Sequence, residues 1–302
     1  MRDTTARPSA NRHRLATPRL LRGRAIGIVG LGLIGGSLLR ALSRHRPAVV
    51  MHGYDCRPEL AAAMRRYGSW CQGIDDLVDR CDVVVLSVPA KEITRLLPVI
   101  AARAARRPRR RRLLVCDTGT VKSPVVRAAA RWRGVFDFVG LHPLAGGERG
   151  GWAASDARIF RGRPFVVCPA ARRPDALVRE LIRLVGGVPV SMDARTHDRI
   201  VADTIGVPHV LAFAAVGLLP FAGQRTSLRG GSWQSLTRVV SSDPTMVAGF
   251  LHANAKNQIR ALTRIRKALA QAARALRCPS QRQTQNLLTK WQTGAEAPRR
   301  RG

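Results

Sequence analysis

The stretch AIGIVGLGLIGGSLLRAL, residues 25–42, decides how the rest of the chain is read. It opens on a short apolar run, AIGIVG, of the length of a strand buried on both faces, and then breaks into glycines spaced G-x-G-x-x-G at Gly30, Gly32 and Gly35. SLLRALSRH (37–45) follows with helical spacing of its leucines. Glycines at this spacing are common and mean little alone. Here a strand precedes them, a helix follows, and a second strand, AVVMHGYD (48–55), ends on Asp55 twenty residues beyond Gly35. That is the context of a dinucleotide site. Gly30 permits the tight turn, Gly32 lets backbone approach a pyrophosphate, and Gly35 lets helix and strand pack closely. Leu33 and Ile34 begin the helix whose first amides would meet the pyrophosphate. Asp55 is placed to bond the adenosine ribose and repel a 2′-phosphate, which makes NAD the expected cofactor rather than NADP. Arg57 is the one neighbouring feature that could tolerate NADP.

Outward from this unit the pattern alternates. PELAAAMRRYG (58–68) is helical, DVVVLSVP (82–89) a buried strand, EITRLLPVIAARAA (92–105) a helix, and LLVCD (113–117) and FDFVGLH (136–142) are strands. RPFVVCPA (163–170), PDALVRELIRLVG (174–186) and VPVSM (188–192) extend the series as strand, helix and strand. Buried strands alternating with helices describe a doubly wound parallel sheet. Beyond Asp193 strand signals vanish and helical stretches run to about Arg277. The expected organisation is a basic tail without structure over 1–24, an α/β domain over 25–192, a helical domain over 193–285, and a basic C-terminal tail over 286–302.

The chain has 302 residues, enough for a sizeable core, and 45% of them are hydrophobic. No uninterrupted apolar run reaches the roughly 18–20 residues of a membrane span. Residues 205–222 come nearest, but His209, two prolines and glycines interrupt them, and they read as a buried helix. The six cysteines form no C-x-x-C pair, which fits reduced thiols in a cytoplasmic protein. No metal site is expected. The charge is unusual: 52 basic residues against 19 acidic give +33, and only five of the basic residues are lysine. A polyanion-binding surface would explain this, as would an arginine- and alanine-rich composition. Aromatics are only 5% and the arginines are scattered, which favours composition, with nonspecific nucleic-acid binding as a side effect. RRPRRRR (106–112) reads as a solvated loop before a strand.

Three further segments end strands: SVP (87–89), DTGTVKSP (117–124) and GLHP (140–143). In an open parallel sheet the carboxyl ends of the strands line the edge where ligands bind. Ser87 and Thr118 are therefore expected at the cofactor, with Thr120 and His142 beside the nicotinamide. A dehydrogenase needs a group that handles a hydroxyl proton while hydride leaves the same carbon, and neutral histidine suits that task. Pro143 stiffens the exit from His142, and Gly146, Gly147, Gly150 and Gly151 allow the next loop close to a ligand.

GLGLIGGSL, DTGTVKSP, GLHPLAGGERGG, HDRIVADTIGVPH and LTRVVSSDP together resemble the prephenate dehydrogenases, over about residues 25–275. The resemblance implies a Rossmann-type NAD domain, a helical dimerisation domain forming a homodimer, and an active site between the two domains. It implies oxidative decarboxylation of prephenate to 4-hydroxyphenylpyruvate in tyrosine biosynthesis, with His142 bonding the ring hydroxyl. Thr120 stands where the family usually has an assisting serine, and Glu148 matches an acidic residue associated with gating the cleft. On its own, His209 in an apolar helix reads as a core histidine; the resemblance implies that it contacts substrate. Arg238 matches the arginine for the substrate carboxylate, a role its forked guanidinium suits. His197-Asp198 matches the family as well, and fits equally a structural role at a helix start. Ile205 and Gly206 replace the serine and first histidine of the family's S-H-x-P-H, which bears on substrate preference. The chain length leaves no room for a further regulatory domain, so a monofunctional enzyme is expected.

Two other readings remain. Arogenate, with an amino group in place of the keto oxygen, could be the substrate. A non-catalytic NAD-binding protein using its positive surface is the reading from a different class. A β-hydroxyacid dehydrogenase would want a catalytic lysine earlier in the second half than Lys256 or Lys267.

Overall fold

Strand β1 (Arg24–Val29) lies at the centre of an eight-stranded sheet ordered β3-β2-β1-β4-β5-β6-β7-β8. A computed structural model describes residues 18–107, 111–147, 149–169, 175–218 and 229–296. Around β1 are β2 (Val49–Tyr54), β3 (Ser69–Trp70), β4 (Val83–Leu86), β5 (Leu114–Asp117), β6 (Asp137–Pro143), β7 (Pro164–Pro169) and β8 (Val188–Ser191). Helices α1 (Leu33–Leu42), α2 (Leu60–Met64), α3 (Ile74–Arg80), α4 (Ala90–Arg106), α5 (Ser123–Ala129) and α6 (Asp175–Leu184) connect them. The strand order reverses at β1, which pairs with β2 on one side and β4 on the other. This is the switch point at which doubly wound sheets open a crevice.

The pleat sorts the core into two layers. Ile26, Ile28, Val83, Val85, Cys116 and Leu141 face one side, and Val84, Leu86, Val115 and Phe138 the other. Successive side chains of a strand point to opposite faces, so strands covered by helices on both faces must be apolar throughout. VVVL of β4 is fully buried for that reason. The sheet departs from an all-parallel expectation at one place: β6 and β7 run antiparallel, His142 pairing with Val166. The segment joining them carries no crossover helix among the described residues. It folds back over α1, where the amide of Asp156 donates to Ser37 Oγ at 2.9 Å and Arg40 Nε to Ser155 Oγ at 2.7 Å. The short β3 and the helices α3 and α5 were not expected from the sequence.

The second half is helical: α7 (Ala194–Val201), a π-helical turn (Ala202–Gly206), α8 (Val207–Leu218), α9 (Gly231–Thr237), α10 (Pro244–Ala253), α11 (Ala255–Arg277) and α12 (Gln281–Glu296). Asp193 caps α7, its carboxylate accepting from the amides of Arg195 and Thr196. The wide turn sits just before Pro208, which has no amide hydrogen to give the helix.

Several boundaries need correcting. Of the tail expected over 1–24, residues 1–17 lie outside the described residues. Residues 18–24 are packed: Leu21 is fully buried, and the amides of Arg19, Leu20 and Leu21 donate to the Glu180 carboxylate at 2.9–3.0 Å. The tail expected from 286 onward is helical through Glu296 as part of α12. The arginine run is not simply solvated: Arg107 Nη1 donates to the Cys81 carbonyl at 2.9 Å, and Arg112 pairs with Asp137 at 3.0 Å. Residues 108–110 lie outside the described residues. The apolar helix read as buried is only partly buried in the single chain. Ala194–Leu218 is long and apolar enough to cross a membrane by length and composition, yet only 28% of its most apolar window is buried. Residues 219–222, at the end of that expected helix, lie outside the described residues.

Candidate active site

The glycine turn has the shape the motif predicts. Gly30 adopts a φ of +87°, and an added Cβ there would lie 2.6 Å from the Ser87 carbonyl oxygen. A Cβ at Gly35 would stand 1.9 Å from the Gly30 oxygen, so helix and turn touch as backbone. At Gly32, by contrast, an added Cβ would meet nothing within 4 Å. That open cradle lies at the N-cap of α1, where Leu33, Ile34 and Gly35 present amides without intrahelical partners. The geometry fits a pyrophosphate. Ser87 and Thr118, at the ends of β4 and β5, are brought together, their hydroxyls 3.0 Å apart. The glycine-rich loop after β6 reaches the same edge: a Cβ at Gly147 would lie 3.8 Å from Leu33 Cδ2.

Asp55 sits where expected, at the end of β2, and is buried. Its Oδ2 accepts from the Leu31 amide at 2.7 Å, tying β2 to the turn. Arg57 closes onto it, Nε to Oδ1 at 2.9 Å and Nη2 to Oδ2 at 3.0 Å. Burial pushes this carboxyl up, but the hydrogen bonds from Arg57 and Leu31 outweigh it and hold it below the usual carboxylate range.

His142 lies near the end of β6, only 6% exposed. Its Nδ1 is 2.9 Å from Nε2 of His197, and His197 Nδ1 is 2.9 Å from Oδ1 of Asp198. The two rings meet edge to face with centroids 5.1 Å apart. Burial pushes Asp198 up, but the hydrogen bond from His197 and those from the Lys122 and Ser123 amides outweigh it and keep it ionised. A carboxylate can only accept, which fixes the chain of donors when both rings are neutral. His197 donates Nδ1–H to Asp198, its Nε2 accepts Nδ1–H from His142, and His142 keeps Nε2 as a free acceptor. Burial, followed by the neighbouring His197 and Lys122, holds His142 well below its ordinary value, against a smaller opposing pull from Asp198. The ring is thus neutral and oriented, the state a general base needs.

The frame around this chain is also buried. Lys122 and Asp117 form an ion pair with no exposed surface, and Lys122 Nζ donates to the carbonyl of Leu141 at 2.7 Å, next to His142. Asp117 Oδ2 also accepts from the Gly119 amide at 2.9 Å. The loop bearing Thr118 and Thr120 is thereby fixed to β6. Thr120 is half-buried in it, and no hydrogen bond joins its hydroxyl to His142. Asp198 caps α5 through the amides of Lys122 and Ser123, both at 2.8 Å, and so joins the sheet to the helical half.

His209, on α8, donates Nδ1–H to the Ile205 carbonyl at 2.8 Å and stands edge-on to Phe250, which leaves its Nε2 uncommitted. Arg238 is exposed, and its guanidinium makes no hydrogen bond or ion pair among the described residues. Neither residue is tied to His142. Glu148 lies outside the described residues. Sequence reasoning weighed His197-Asp198 as a family match and equally as a helix start, without pairing it to His142, and did not single out Lys122; the pairings with His142 and Leu141 span 55 and 19 residues and leave no local pattern.

A dinucleotide cradle at the switch point, with an oriented neutral histidine on the same sheet edge, defines an NAD-dependent dehydrogenase. Comparison with known proteins carries this to a family. Residues 38–192 match the model of the prephenate dehydrogenase nucleotide-binding domain, and residues 193–293 that of the prephenate dehydrogenase dimerization domain. The chain belongs to the prephenate dehydrogenase family. It is 31% identical over 243 residues to a cyclohexadienyl dehydrogenase of Zymomonas mobilis, covering 76% of this chain and 80% of that one. With a prephenate dehydrogenase of Lactococcus lactis it shares 27% over 258 residues, 82% of this chain and 69% of the other. Among solved structures, the prephenate dehydrogenase of Aquifex aeolicus in complex with hydroxyphenyl propionate and NAD+ superposes with a TM-score of 0.78 at 26% identity, over 92% of this chain and 99% of that one.

Proposed function

We propose that the protein catalyses the NAD-dependent oxidative decarboxylation of prephenate to 4-hydroxyphenylpyruvate, the step that commits carbon to tyrosine. The observation that carries this reading is the His142–His197–Asp198 chain, which presents one unprotonated ring nitrogen at the carboxyl edge of the sheet. Bound NAD supplies the hydride acceptor. His142 Nε2 accepts the proton of the ring hydroxyl as hydride leaves the same carbon. The carbon–carboxylate electrons then pass into the ring as carbon dioxide departs, and the proton returns to what is now a phenolic oxygen. Aromatisation supplies the driving force, so positioning is the main task left to the protein. Arg238 is the proposed ligand of a substrate carboxylate and His209 a further substrate contact, with Thr120 assisting His142 and Glu148 gating the cleft. These roles follow from the positions at which the chain matches family motifs.

Exposed apolar side chains support a homodimer through the helical half: Leu218, Met246, Ile259 and Leu276 are all more than half exposed in the single chain. A cytoplasmic location accords with this chemistry. Arogenate is the competing substrate, since Ile205 and Gly206 alter the helix in which His209 sits. NADH formation by the purified protein with prephenate and arogenate offered separately tests the reading, with His142→Asn as control. Turnover of prephenate that collapses in the variant is expected. Turnover of neither substrate, with NAD still bound, would leave a non-catalytic NAD-binding protein.

A further inference from the structure

The densest run of positive charge in the chain, RRPRRRR (106–112), has no part in the dehydrogenase site. It lies between the end of α4 at Arg106 and the start of β5 at Leu114, at the amino edge of the sheet, opposite the carboxyl edge that carries the glycine cradle and His142. There a cavity of about 160 Å³ opens between Arg107, Arg111, Arg112, Leu113, Gly134 and Val135. Two of its three guanidiniums are held in place. Arg107 Nη1 donates to the Cys81 carbonyl at 2.9 Å, and Arg112 Nε pairs with Asp137 Oδ1 at 3.0 Å. Arg111 is exposed and makes no hydrogen bond or ion pair among the described residues. Asp137 compensates Arg112, and the Asp82 carboxylate accepts from the Ala25 amide at 3.1 Å. Arg107 and Arg111 are thus left without a carboxylate partner. The carbonyl end of α4 opposes an anion with roughly half a charge, well below the two charges facing it. Leu113, 2% exposed, and half-buried Val135 give the cavity an apolar wall, beside which charges attract more strongly than in open water.

We propose that this cavity is a binding site for a phosphate dianion, free or as a phosphomonoester, separate from the dinucleotide site. A phosphomonoester carries about −1.5 to −2 at neutral pH, which matches two uncompensated guanidiniums. The planar N–H donors of arginine suit its oxygens. Pockets for larger ligands run from roughly 300 Å³ upward, so this cavity takes the phosphate group and not a whole nucleotide.

The test is calorimetric titration of the full chain with inorganic phosphate and, separately, with methyl phosphate. Ionic strength is held constant and NAD is kept saturating, so that the pyrophosphate cradle is filled. The proteins are the native chain, Arg111→Ala, Arg111→Lys and Arg274→Ala, the last removing an equal charge from the exposed face of α11. The native protein is expected to saturate at a single equivalent. Arg111→Ala should bind roughly 10- to 100-fold more weakly, the range of a hydrogen bond to a charged group, while Arg274→Ala is little changed. Arg111→Lys keeps the charge without the fork and should fall between the two. Phosphate should also raise the Tm of the native protein and leave that of Arg111→Ala where it was. Methyl phosphate binding as tightly as phosphate assigns the site to phosphorylated small molecules; its exclusion, with phosphate retained, assigns the site to the free ion. Equal weakening in Arg111→Ala and Arg274→Ala, or no saturation at one equivalent in the native protein, reduces the effect to the chain's general positive charge and overturns the proposal.

Discussion

Replacing His197 with phenylalanine tests whether the histidine chain sets the chemistry. His142 is 6% exposed and His197 1%, so water has little access to the Nδ1 bond between their rings. Phenylalanine keeps the edge-to-face packing and removes the acceptor. His142 then faces a buried Nδ1–H with no partner, which costs about 1–3 kcal/mol. Moving the proton to Nε2 relieves that cost and occupies the nitrogen that must accept the substrate hydroxyl proton. A tautomer bias of that size is roughly a 5- to 150-fold loss of competent enzyme. The loss should fall on kcat, with KM for the substrate little changed. His197→Gln supplies a carbonyl at the position of Nε2, and should recover much of the rate. Steady-state kinetics of both variants, with thermal melts alongside, decide the matter. Phenylalanine activity within about threefold of native at native stability would refute the tautomer argument. Equal losses in both variants, tracking a lowered Tm, would reduce His197 to a packing residue.

Further outcomes follow from the same site. Burial, then His197 and Lys122, keep His142 deprotonated below its ordinary value, so kcat/KM should hold as pH falls through 6.5 and decline only below it; a midpoint at or above 6.5 in the acid limb contradicts the geometry. Lys122→Met strands the Asp117 carboxylate in a site with no exposed surface, and should cost about 3–5 kcal/mol in a denaturant titration. Gly32→Ala places its Cβ in the open cradle with no protein atom within 4 Å, so affinity for NAD should fall more than about tenfold while Tm stays near native. Gly206→His alone places a Cβ 1.9 Å from Gln258 Oε1, the end of a flexible side chain that must swing aside, so Tm should fall further in the single variant than in the double variant with Gln258→Ala. Equal stability of the single and double variants would show that the two positions do not share the space.

The sheet was legible because its signals are local. A strand buried on both faces must be apolar at every residue, so AIGIVG and DVVVLSVP announce themselves in a few positions. The glycine turn was legible for the same reason, Gly30 and Gly35 meeting their constraints at the neighbouring strand end and within the turn. Elements whose definition lies elsewhere were not. Strand β3 has two residues and exists only through its register with His52 and Gly53. The antiparallel pairing of β6 and β7 depends on a segment that packs on α1 instead of forming a crossover helix, and nothing in RPFVVCPA encodes direction. Residues 18–24 looked like more of a basic tail because their anchor, Glu180, lies about 160 positions away.

The site divides along the same line. His142 could be found from one side, as a histidine at a strand end before a glycine loop, but what makes it a usable base arrives from α7. His197 sets its tautomer, Asp198 sets that of His197, and the same Asp198 carboxylate caps α5 at the sheet edge. One carboxylate therefore couples the docking of the helical half to the protonation pattern of the proposed catalytic ring. Gly206 shows the converse, a departure that looks like loss in the sequence and is filled in the fold. The space beside its Cα holds Gln258 from α11, 5% exposed, with an Nε2 that has no partner among the described residues. Ile205 and Gly206 remove side-chain polarity from the turn before α8, while the amide of Gln258 keeps a donor and an acceptor beside it. The altered motif is then a property of two helices together, and reading it alone would miss half of it.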